Sequence, residues 1–213
     1  MSTRGDLART AIIEAAEQLF AERGIESVSL REVAVAAGQR NHSATQYHFG
    51  DRGGLVAAVF EHRMQVVNDR RHRRLDELSE RGESTDLEQL VDAVVIPLVE
   101  VVDETDGWYA RFLVRTRWDA FAQTVLTDVP ALASFRRAID LIADQLPGPA
   151  EHRLHRIDQM NTLFLGTIAG WEWQRHRGGS VPPADELCAD LTATCTAVLT
   201  ARARVPDPTG GVA

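Results

Sequence analysis

Apolar residues recur along this chain at the spacing of an α-helix, and the alternation typical of strands is nearly absent. Across residues 7–22 they fall three or four positions apart, and Gly24 follows as a helix stop. Ser29 and Glu32 form an S-x-x-E capping box ahead of a second short run, which ends at Gly38. The pattern therefore predicts two helices, the second beginning at Ser29.

The remaining chain carries the same helical spacing, interrupted by proline and glycine. A third short helix is expected at 41–49, and Asp51 is placed to cap a fourth over 53–78. Five more are expected at 86–102, 108–121, 129–146, 150–176 and 183–202. Pro97 predicts a kink or a stop within the first of these five. The chain is thus predicted to be all-α, with about nine helices.

The second and third helices form the pattern that carries chemistry. Two short helices joined by a tight turn and held on a third are typical of a helix-turn-helix, whose second member enters the DNA major groove. Small or forked hydrogen-bonding side chains without an acid are expected to face the base edges there: Arg40, Asn41, His42, Ser43, Thr45 and Gln46. Because Asn and Gln can pair bidentately with adenine, the segment predicts double-stranded DNA as a partner.

Three segments near the start of the chain carry a family resemblance. Residues 12–29 read IIEAAEQLFAERGIESVS, residues 30–38 read LREVAVAAG, and residues 47–56 read YHFGDRGGLV. This combination resembles the TetR family of one-component transcriptional repressors. The match covers about residues 8–60. Beyond it the family shares architecture rather than a sequence motif.

The resemblance implies DNA-holding roles for Ser29, Arg31, Tyr47, His48 and Arg52. Ser29 and Arg31 belong to the second helix, which holds DNA in this family. Tyr47 and His48 correspond to residues that touch phosphate, and Arg52 takes the basic position that starts the fourth helix.

This chain departs from the family pattern in two places. The interval 38–49 is one residue longer than usual, so the register of base contacts within 41–46 stays open by one position. The pair Gly53 and Gly54 replaces acidic helix formers. Each glycine is expected to weaken the first turn of the fourth helix by roughly 1 kcal/mol relative to alanine.

The resemblance also divides the chain. It implies a helix-turn-helix DNA-binding domain at 1–54 and a larger ligand-binding and dimerisation domain at 55–204, and composition predicts a disordered tail at 205–213. A homodimer is expected through the last two long helices. Residues 160–173 are apolar around more of the helix than one core face requires, and Gly166 and Gly170 permit close approach. The alternative is the centre of a monomeric bundle.

The expected function is that of a dimeric repressor that binds an inverted-repeat operator and is released by a small-molecule effector. Activation is not distinguished from repression by the sequence. A second hypothesis is an all-helical enzyme that uses the C-terminal cavity, although G-x-S-x-G and a phosphate-binding glycine loop are both absent from the sequence. An effector cavity is expected among the middle helices, where Met64, Trp108, Phe112, Trp118 and Phe121 lie and where core packing is their commoner role. Arg111, Arg115 and Arg117 fit either a solvated face or an anion clamp.

The composition of the chain is compatible with this expected function. The net charge of −8 argues at first against nucleic acid, but residues 1–55 hold six arginines and seven acids, so most negative charge lies beyond them. With no long apolar stretch and no signal-peptide pattern, we expect a soluble, cytoplasmic protein without membrane contact. Neither a cofactor nor a metal is expected.

Cys188 and Cys195 favour buried thiols over redox sensors. The arginine-rich run 70–74 favours a salt-bridged helix face, because acids lie within one or two turns.

Overall fold

The computed structural model describes residues 4–39, 44–80, 86–127 and 129–201. Over these residues the chain is helical and contains no strand. The ten α-helices are α1 (Arg4–Arg23), α2 (Leu30–Ala36), α3 (Ala44–Phe49), α4 (Arg52–Glu80), α5 (Leu87–Glu104), α6 (Tyr109–Trp118), α7 (Ala120–Leu126), α8 (Ala133–Gln145), α9 (Ala150–His176) and α10 (Ala184–Thr200). A short 3₁₀ turn, Pro130–Leu132, precedes α8. The all-α prediction is confirmed.

The first three helices pack around a shared apolar core, to which α1 contributes most. Ile12, Ile13 and Phe20 are fully buried, because they follow one face of α1. The capping box at the start of α2 is present: the Ser29 N–H donates to Glu32 Oε2 at 2.9 Å, and the Glu32 N–H donates to Ser29 Oγ at 3.2 Å. These two reciprocal bonds set the residue at which α2 begins.

The end of α2 is set by Gly38, which has a φ of +66°. Its N–H donates to the Val35 carbonyl, and the next N–H, from Gln39, donates to the Ala34 carbonyl. This is the Schellman pattern, which favours glycine because other residues rarely adopt a positive φ. Residues 40–43, which include most of the predicted turn and the expected start of the third helix, lie outside the described residues.

A tight junction joins α3 to α4. The Asp51 carboxylate accepts the N–H of Gly54 at 2.9 Å and so caps α4, as its position in the sequence predicts. A Cβ at Gly54 would lie within 3.2 Å of the Phe49 carbonyl carbon and closer still to its oxygen. The second glycine therefore has a packing reason, since the last turn of α3 rests directly on the α4 backbone.

The long helix α4 leads from the three-helix unit into a larger helical unit. There α5 packs against α4, α8 and α10, while α6 packs between α1 and α9. Helix α5 continues through Pro97, so the predicted stop does not occur. The expected single helix at 108–121 is wrong, because Asp119 accepts the Ala122 N–H at 2.8 Å and starts a new helix, α7. In the described part of the chain, no helix is both long and apolar enough to cross a bilayer.

Candidate nucleic-acid interface and inner cavity

The short helix α3 holds two exposed side chains on a rigid support. Gln46 is exposed, and Tyr47 exposes 86% of its surface although it is a large aromatic residue. The ring of His48 meets the Tyr47 ring edge-on, with a centroid distance of 5.2 Å. Phe49 is half-buried against the core, and the Arg9 guanidinium lies 5.3 Å from its ring centroid. Buried neighbours thus anchor α3 while Gln46 and Tyr47 face solvent.

One candidate base-reading residue is placed differently from the prediction. Thr45 is fully buried at 0% exposure, so the expectation that it faces base edges is wrong. It lies on the inner side of α3, where the methyl group can pack, and a single helical turn cannot expose successive residues equally. Four further candidates, Arg40, Asn41, His42 and Ser43, lie outside the described residues.

The start of α2 brings together two further candidates, Ser29 and Arg31, and both are exposed. The Ser29 hydroxyl also donates to Glu32 Oε2, at 2.7 Å, so both donors of Ser29 are engaged within the cap. These hydrogen bonds hold the pKa of the Glu32 carboxyl below its usual value. A phosphate contact by Ser29 therefore remains a prediction, and it requires one cap bond to be exchanged.

Arg52 is the first residue of α4 and is half-exposed, directly after the capping residue Asp51. Together with Gln46, Tyr47 and His48 it lies within one short stretch, α3 and the start of α4. This stretch provides hydroxyl, amide, imidazole and guanidinium groups, which are common donors to phosphate oxygens and base edges.

A cavity of about 420 Å³ lies in the larger helical unit. Its wall is mostly apolar and includes Phe60, Met64, Leu98, Leu113 and Phe164. Of the five middle-helix side chains considered from the sequence, Met64 alone is among the residues that line it. Phe112 is buried core, whereas Trp118 and Phe121 are exposed. The cavity is within the roughly 300–1,000 Å³ typical of small-molecule sites.

The basic run on α4 divides between two environments. Arg70 pairs with Glu100 and Glu104, and Arg74 pairs with Glu100, so the salt-bridged face is confirmed, although the partners lie on α5. Arg71 does not belong to that face, because it is buried and lines the cavity. Arg71 lies four residues from both Val67 and Leu75, on the apolar stripe of α4. This spacing in the sequence could have predicted its burial.

Two buried carboxylates hold the N-terminus of α6. Glu17, on α1, accepts the Trp108 N–H at 2.7 Å, and Glu172, on α9, accepts the N–H groups of Ala110 and Arg111 at 2.9 and 3.1 Å. Burial raises the pKa of both carboxyls, although these bonds oppose the shift. Helix N-termini have free N–H groups, so each acid satisfies donors that α6 itself cannot. Helix α6 is therefore joined to α1 as well as to α9.

The three arginines of α6 do not form an anion clamp together. Arg111 stacks on Trp108, with 3.7 Å from Cζ to the ring centroid, and pairs with Glu172 at 3.0 Å. Arg117 lines the cavity but pairs with Asp158, and Arg115 donates to the Ala21 carbonyl at 3.3 Å.

The thiols have the environment of packing groups rather than sensors. Cys195 is buried, Cys188 is half-buried, and desolvation raises the pKa of each to about 11. A reactive thiol needs a lowered pKa, so this environment disfavours redox sensing. Within the described residues, no group of three or more His, Cys, Asp or Glu is placed to hold a metal ion.

Known proteins resemble this chain in its N-terminal part and in its overall fold. Residues 12–59 match the family described as bacterial regulatory proteins, tetR family. The HTH-type transcriptional repressor Rv3405c of Mycobacterium tuberculosis and the HTH-type transcriptional regulator Mb3439c of Mycobacterium bovis are each 42% identical over 62 residues. That match spans 29% of this chain and 32% of each relative, about a third of their length. Both relatives are described as transcriptional regulators rather than enzymes.

Solved structures extend the likeness to the whole fold. NalD, the secondary repressor of the MexAB-OprM multidrug efflux pump in Pseudomonas aeruginosa, is 21% identical with a TM-score of 0.59, covering 92% of this chain and 98% of NalD. The fatty acid degradation regulator FadR from Bacillus halodurans is 15% identical with a TM-score of 0.57, covering 92% and 100%. At these identities the likeness concerns the fold. Residues 12–59 thus match the tetR family of bacterial regulatory proteins, and the rest of the chain shares the helical fold of these solved structures.

Proposed function

We propose that this protein is a sequence-specific, DNA-binding transcriptional regulator that acts as a dimeric repressor and is released by a small-molecule effector. Double-stranded DNA is the partner of the N-terminal unit at 1–54, and the effector and the second copy are partners of the unit at 55–204. The observation that carries the proposal is the exposed Tyr47 on a helix whose opposite side is buried.

The exposed surface of α3 supports a DNA contact. An isolated aromatic side chain in solvent contributes little to folding, whereas a tyrosine hydroxyl and ring are well suited to a phosphate and its sugar. Gln46 precedes Tyr47 and has both a donor and an acceptor for a base edge. Arg52 adds a cation near the same end of α3. In this proposal Gln46 reads sequence, while Tyr47, His48 and Arg52 fix the position on the DNA backbone.

A dimer supplies the second α3 that an inverted repeat needs. Two recognition helices must lie about 34–36 Å apart to enter successive major grooves. Gly166 of α9 has open space around its missing Cβ, as has Gly170 one turn later. A helix from a second copy can therefore approach this face of α9 closely, which supports an interface through the last two long helices.

The elements that line the cavity also touch the DNA-binding unit, which supports release by an effector. Helix α7 lines the cavity, and a Cβ at Gly53 in the first turn of α4 would lie 3.6 Å from Phe121 Cζ and 3.5 Å from Val125 Cγ2. Helix α6 lines the cavity with Leu113 and is bonded to α1 through Glu17. A ligand that favours one position of these helices changes the spacing of the two α3 helices.

Selection of duplex DNA from a random pool, followed by anisotropy titration at several salt concentrations, tests the proposal. An enriched inverted repeat is expected. Arg52→Gln should reduce the salt slope by about 0.9 for each phosphate that a protomer no longer neutralises, while Tyr47→Phe should weaken binding several-fold and leave the slope unchanged. Gln46→Ala should relax the preference at one base pair per half-site and preserve the others.

Matched controls lie elsewhere on α4. Arg73→Gln and Gln65→Ala replace exposed residues of the same types and should leave affinity and salt slope unaltered. Arg73 is 21 residues beyond Arg52, about 31 Å along the helix. The proposal fails if no sequence is enriched, or if the variants at residues 46, 47 and 52 bind the selected duplex as the controls do.

A further inference from the structure

The cavity contains a charge that no acidic side chain of the described residues neutralises. Arg71 is only 2% exposed, and no carboxylate of the described residues is within ion-pair distance of it. Two other charged side chains of the described chain are buried to this degree, Glu17 and Glu172, and their charges are compensated. Each pairs with an arginine and accepts backbone N–H groups. Arg71 is therefore the exception among the buried charges.

Part of the Arg71 environment is explained by α5. Pro97 has no N–H, so the Ala93 carbonyl, four residues earlier, lacks its usual helical partner. Arg71 Nε donates to this carbonyl at 3.1 Å, and Arg71 Nη2 donates to the Val94 carbonyl at 3.1 Å. These neutral acceptors satisfy two of the three guanidinium nitrogens and allow α5 to continue through Pro97. They leave the net charge in place.

The third nitrogen, Nη1, is buried and has no hydrogen-bond partner. Burial lowers the pKa of Arg71 to about 10, which still leaves the side chain protonated at neutral pH. The Phe135 ring, with its centroid 5.4 Å from Cζ, offers the cation only a weak interaction. A buried donor and charge without a partner is costly to the fold, and this is the condition that an anionic ligand relieves.

The other residues that line the cavity indicate the polarity and the net charge of such a ligand. Phe60, Leu98 and Phe164 present an apolar surface, and no acidic side chain lines the cavity among the described residues. Arg117 also lines it, but its charge is already paired with Asp158. Arg136 lines the wall as well, but it is exposed to solvent and donates to the Thr127 carbonyl. Among the described residues, Arg71 is thus the one buried cation of the wall without an acid, which suits a monoanion. A dianion such as a phosphate monoester would bring a second, uncompensated charge out of water.

We propose that the cavity binds an organic carboxylate with an aliphatic or aromatic body, in which the carboxylate accepts from Arg71 Nη1 and the body packs on the apolar wall. This inference rests on the proposed function in that it names the chemical class of the effector. Binding itself needs no DNA, so the two can be tested separately.

The test is calorimetric titration of the full chain, without DNA, by two matched pairs of probes: octanoate against 1-octanol, and 2-naphthoate against 2-naphthalenemethanol. Within a pair the body is the same and the head group differs. A charge-assisted bond to a buried guanidinium predicts that at least one carboxylate binds about 10- to 100-fold tighter than its alcohol. Arg71→Gln retains a donor for the α5 carbonyls but loses the charge, and it should abolish this preference.

Arg136→Gln is the matched control, because Arg136 is an exposed arginine on the cavity wall that donates to the Thr127 carbonyl. It should retain the preference for carboxylate. Equal affinity for acid and alcohol in both pairs, no binding of either carboxylate at millimolar concentration, or a preference that survives Arg71→Gln would overturn the inference. If Arg71→Gln does not fold, the head-group comparison in the unsubstituted chain decides. A chain that prefers carboxylate yet selects no DNA would refute the proposed function alone.

Discussion

The two glycines at the start of α4 offer a matched pair of substitutions with opposite expected effects. A Cβ at Gly53 would meet Asp51 Oδ1 at 3.2 Å and otherwise lie at ordinary van der Waals distance from α7 side chains. A Cβ at Gly54, the next residue, would press on the Phe49 carbonyl, which is backbone and has no flexible side chain to move aside. Helix propensity treats the two glycines alike, whereas the structure separates them.

The magnitudes follow from two competing terms. Alanine is favoured over glycine by about 0.8–1.0 kcal/mol within a helix, and somewhat less in a first turn. Forcing an extra methyl into a packed site costs typically about 1–3 kcal/mol. Gly53→Ala should therefore raise the free energy of unfolding by less than about 1 kcal/mol, because Asp51 Oδ1 must shift by a few tenths of an ångström while it still accepts the Gly54 N–H. Gly54→Ala should lower it, and the variants should differ by at least about 1 kcal/mol.

Urea unfolding followed by far-UV circular dichroism measures both variants beside the unsubstituted chain. Because Phe49 ends α3, Gly54→Ala should also displace Gln46 and Tyr47 and weaken binding to a selected duplex about tenfold or more, since small displacements of positioning groups are costly. Gly53→Ala should leave that affinity nearly unchanged. Equal stability of the two variants, or stabilisation by Gly54→Ala, would refute the packing argument whatever the DNA result.

Three further predictions concern the larger unit. Burial raises the pKa of Glu17 in the folded chain, so its contribution to stability is present below the unfolded value near 4.5 and is lost as pH rises through the folded value. As the pH rises from 4.5 to 7.5, the free energy of unfolding of the unsubstituted chain should therefore fall relative to that of Glu17→Gln in urea titrations. A relative rise would contradict the upward direction of the pKa shift. Cys188 and Cys195, whose pKa values are raised to about 11, should react with a disulfide reagent at pH 8 far more slowly in the folded chain than in guanidinium, and equal rates would exclude their burial. Gly166→Arg should weaken dimerisation at least tenfold in sedimentation velocity without lowering the melting temperature of the monomer, since a Cβ at that site would meet nothing within 4 Å among the described residues. An unaltered dimer would place the interface elsewhere.

Local signals predicted the helices well where the chain itself supplies the terminating group. Helix α9 begins and ends at 150 and 176 as expected, because Pro147, Gly148 and Pro149 interrupt the backbone just before it. The start of α2 follows from Ser29 and Glu32, whose mutual bonds need no distant partner. Such elements are readable because the cause lies within a few residues.

Where the cause lies elsewhere in the fold, the sequence was less informative. Pro97 predicts a kink or a stop, yet α5 continues past it, and Arg71 of another helix donates to the Ala93 carbonyl that proline leaves free. Residues 160–173 are apolar around more of the helix than one core face requires, yet Phe164 and Ile168 are buried within the single chain. Part of the apolar surface that suggested an interface is thus explained by the packing of α9 within its own unit, and the open space at Gly166 and Gly170 carries the remaining argument for a dimer.

The buried charges together suggest how the two units communicate. Glu17 and Glu172 hold the N-terminus of α6 from α1 and α9, so α6 cannot shift along its axis without breaking a bond to one of them. Further along, α6 lines the cavity with Leu113, Thr116 and Arg117, and the cavity is also lined by Arg71, which has no acidic partner among the described residues. In the proposed complex, an anion on Arg71 would lie in the cavity that α4 and α6 both line, and a displacement of α6 would be opposed by the Glu17 and Glu172 carboxylates that hold its N-terminus. Since α1 carries the core on which α2 and α3 rest, these connected contacts offer a direct physical route from the cavity to Tyr47, and Glu17→Gln should weaken the coupling between ligand and DNA more than it weakens either binding step alone.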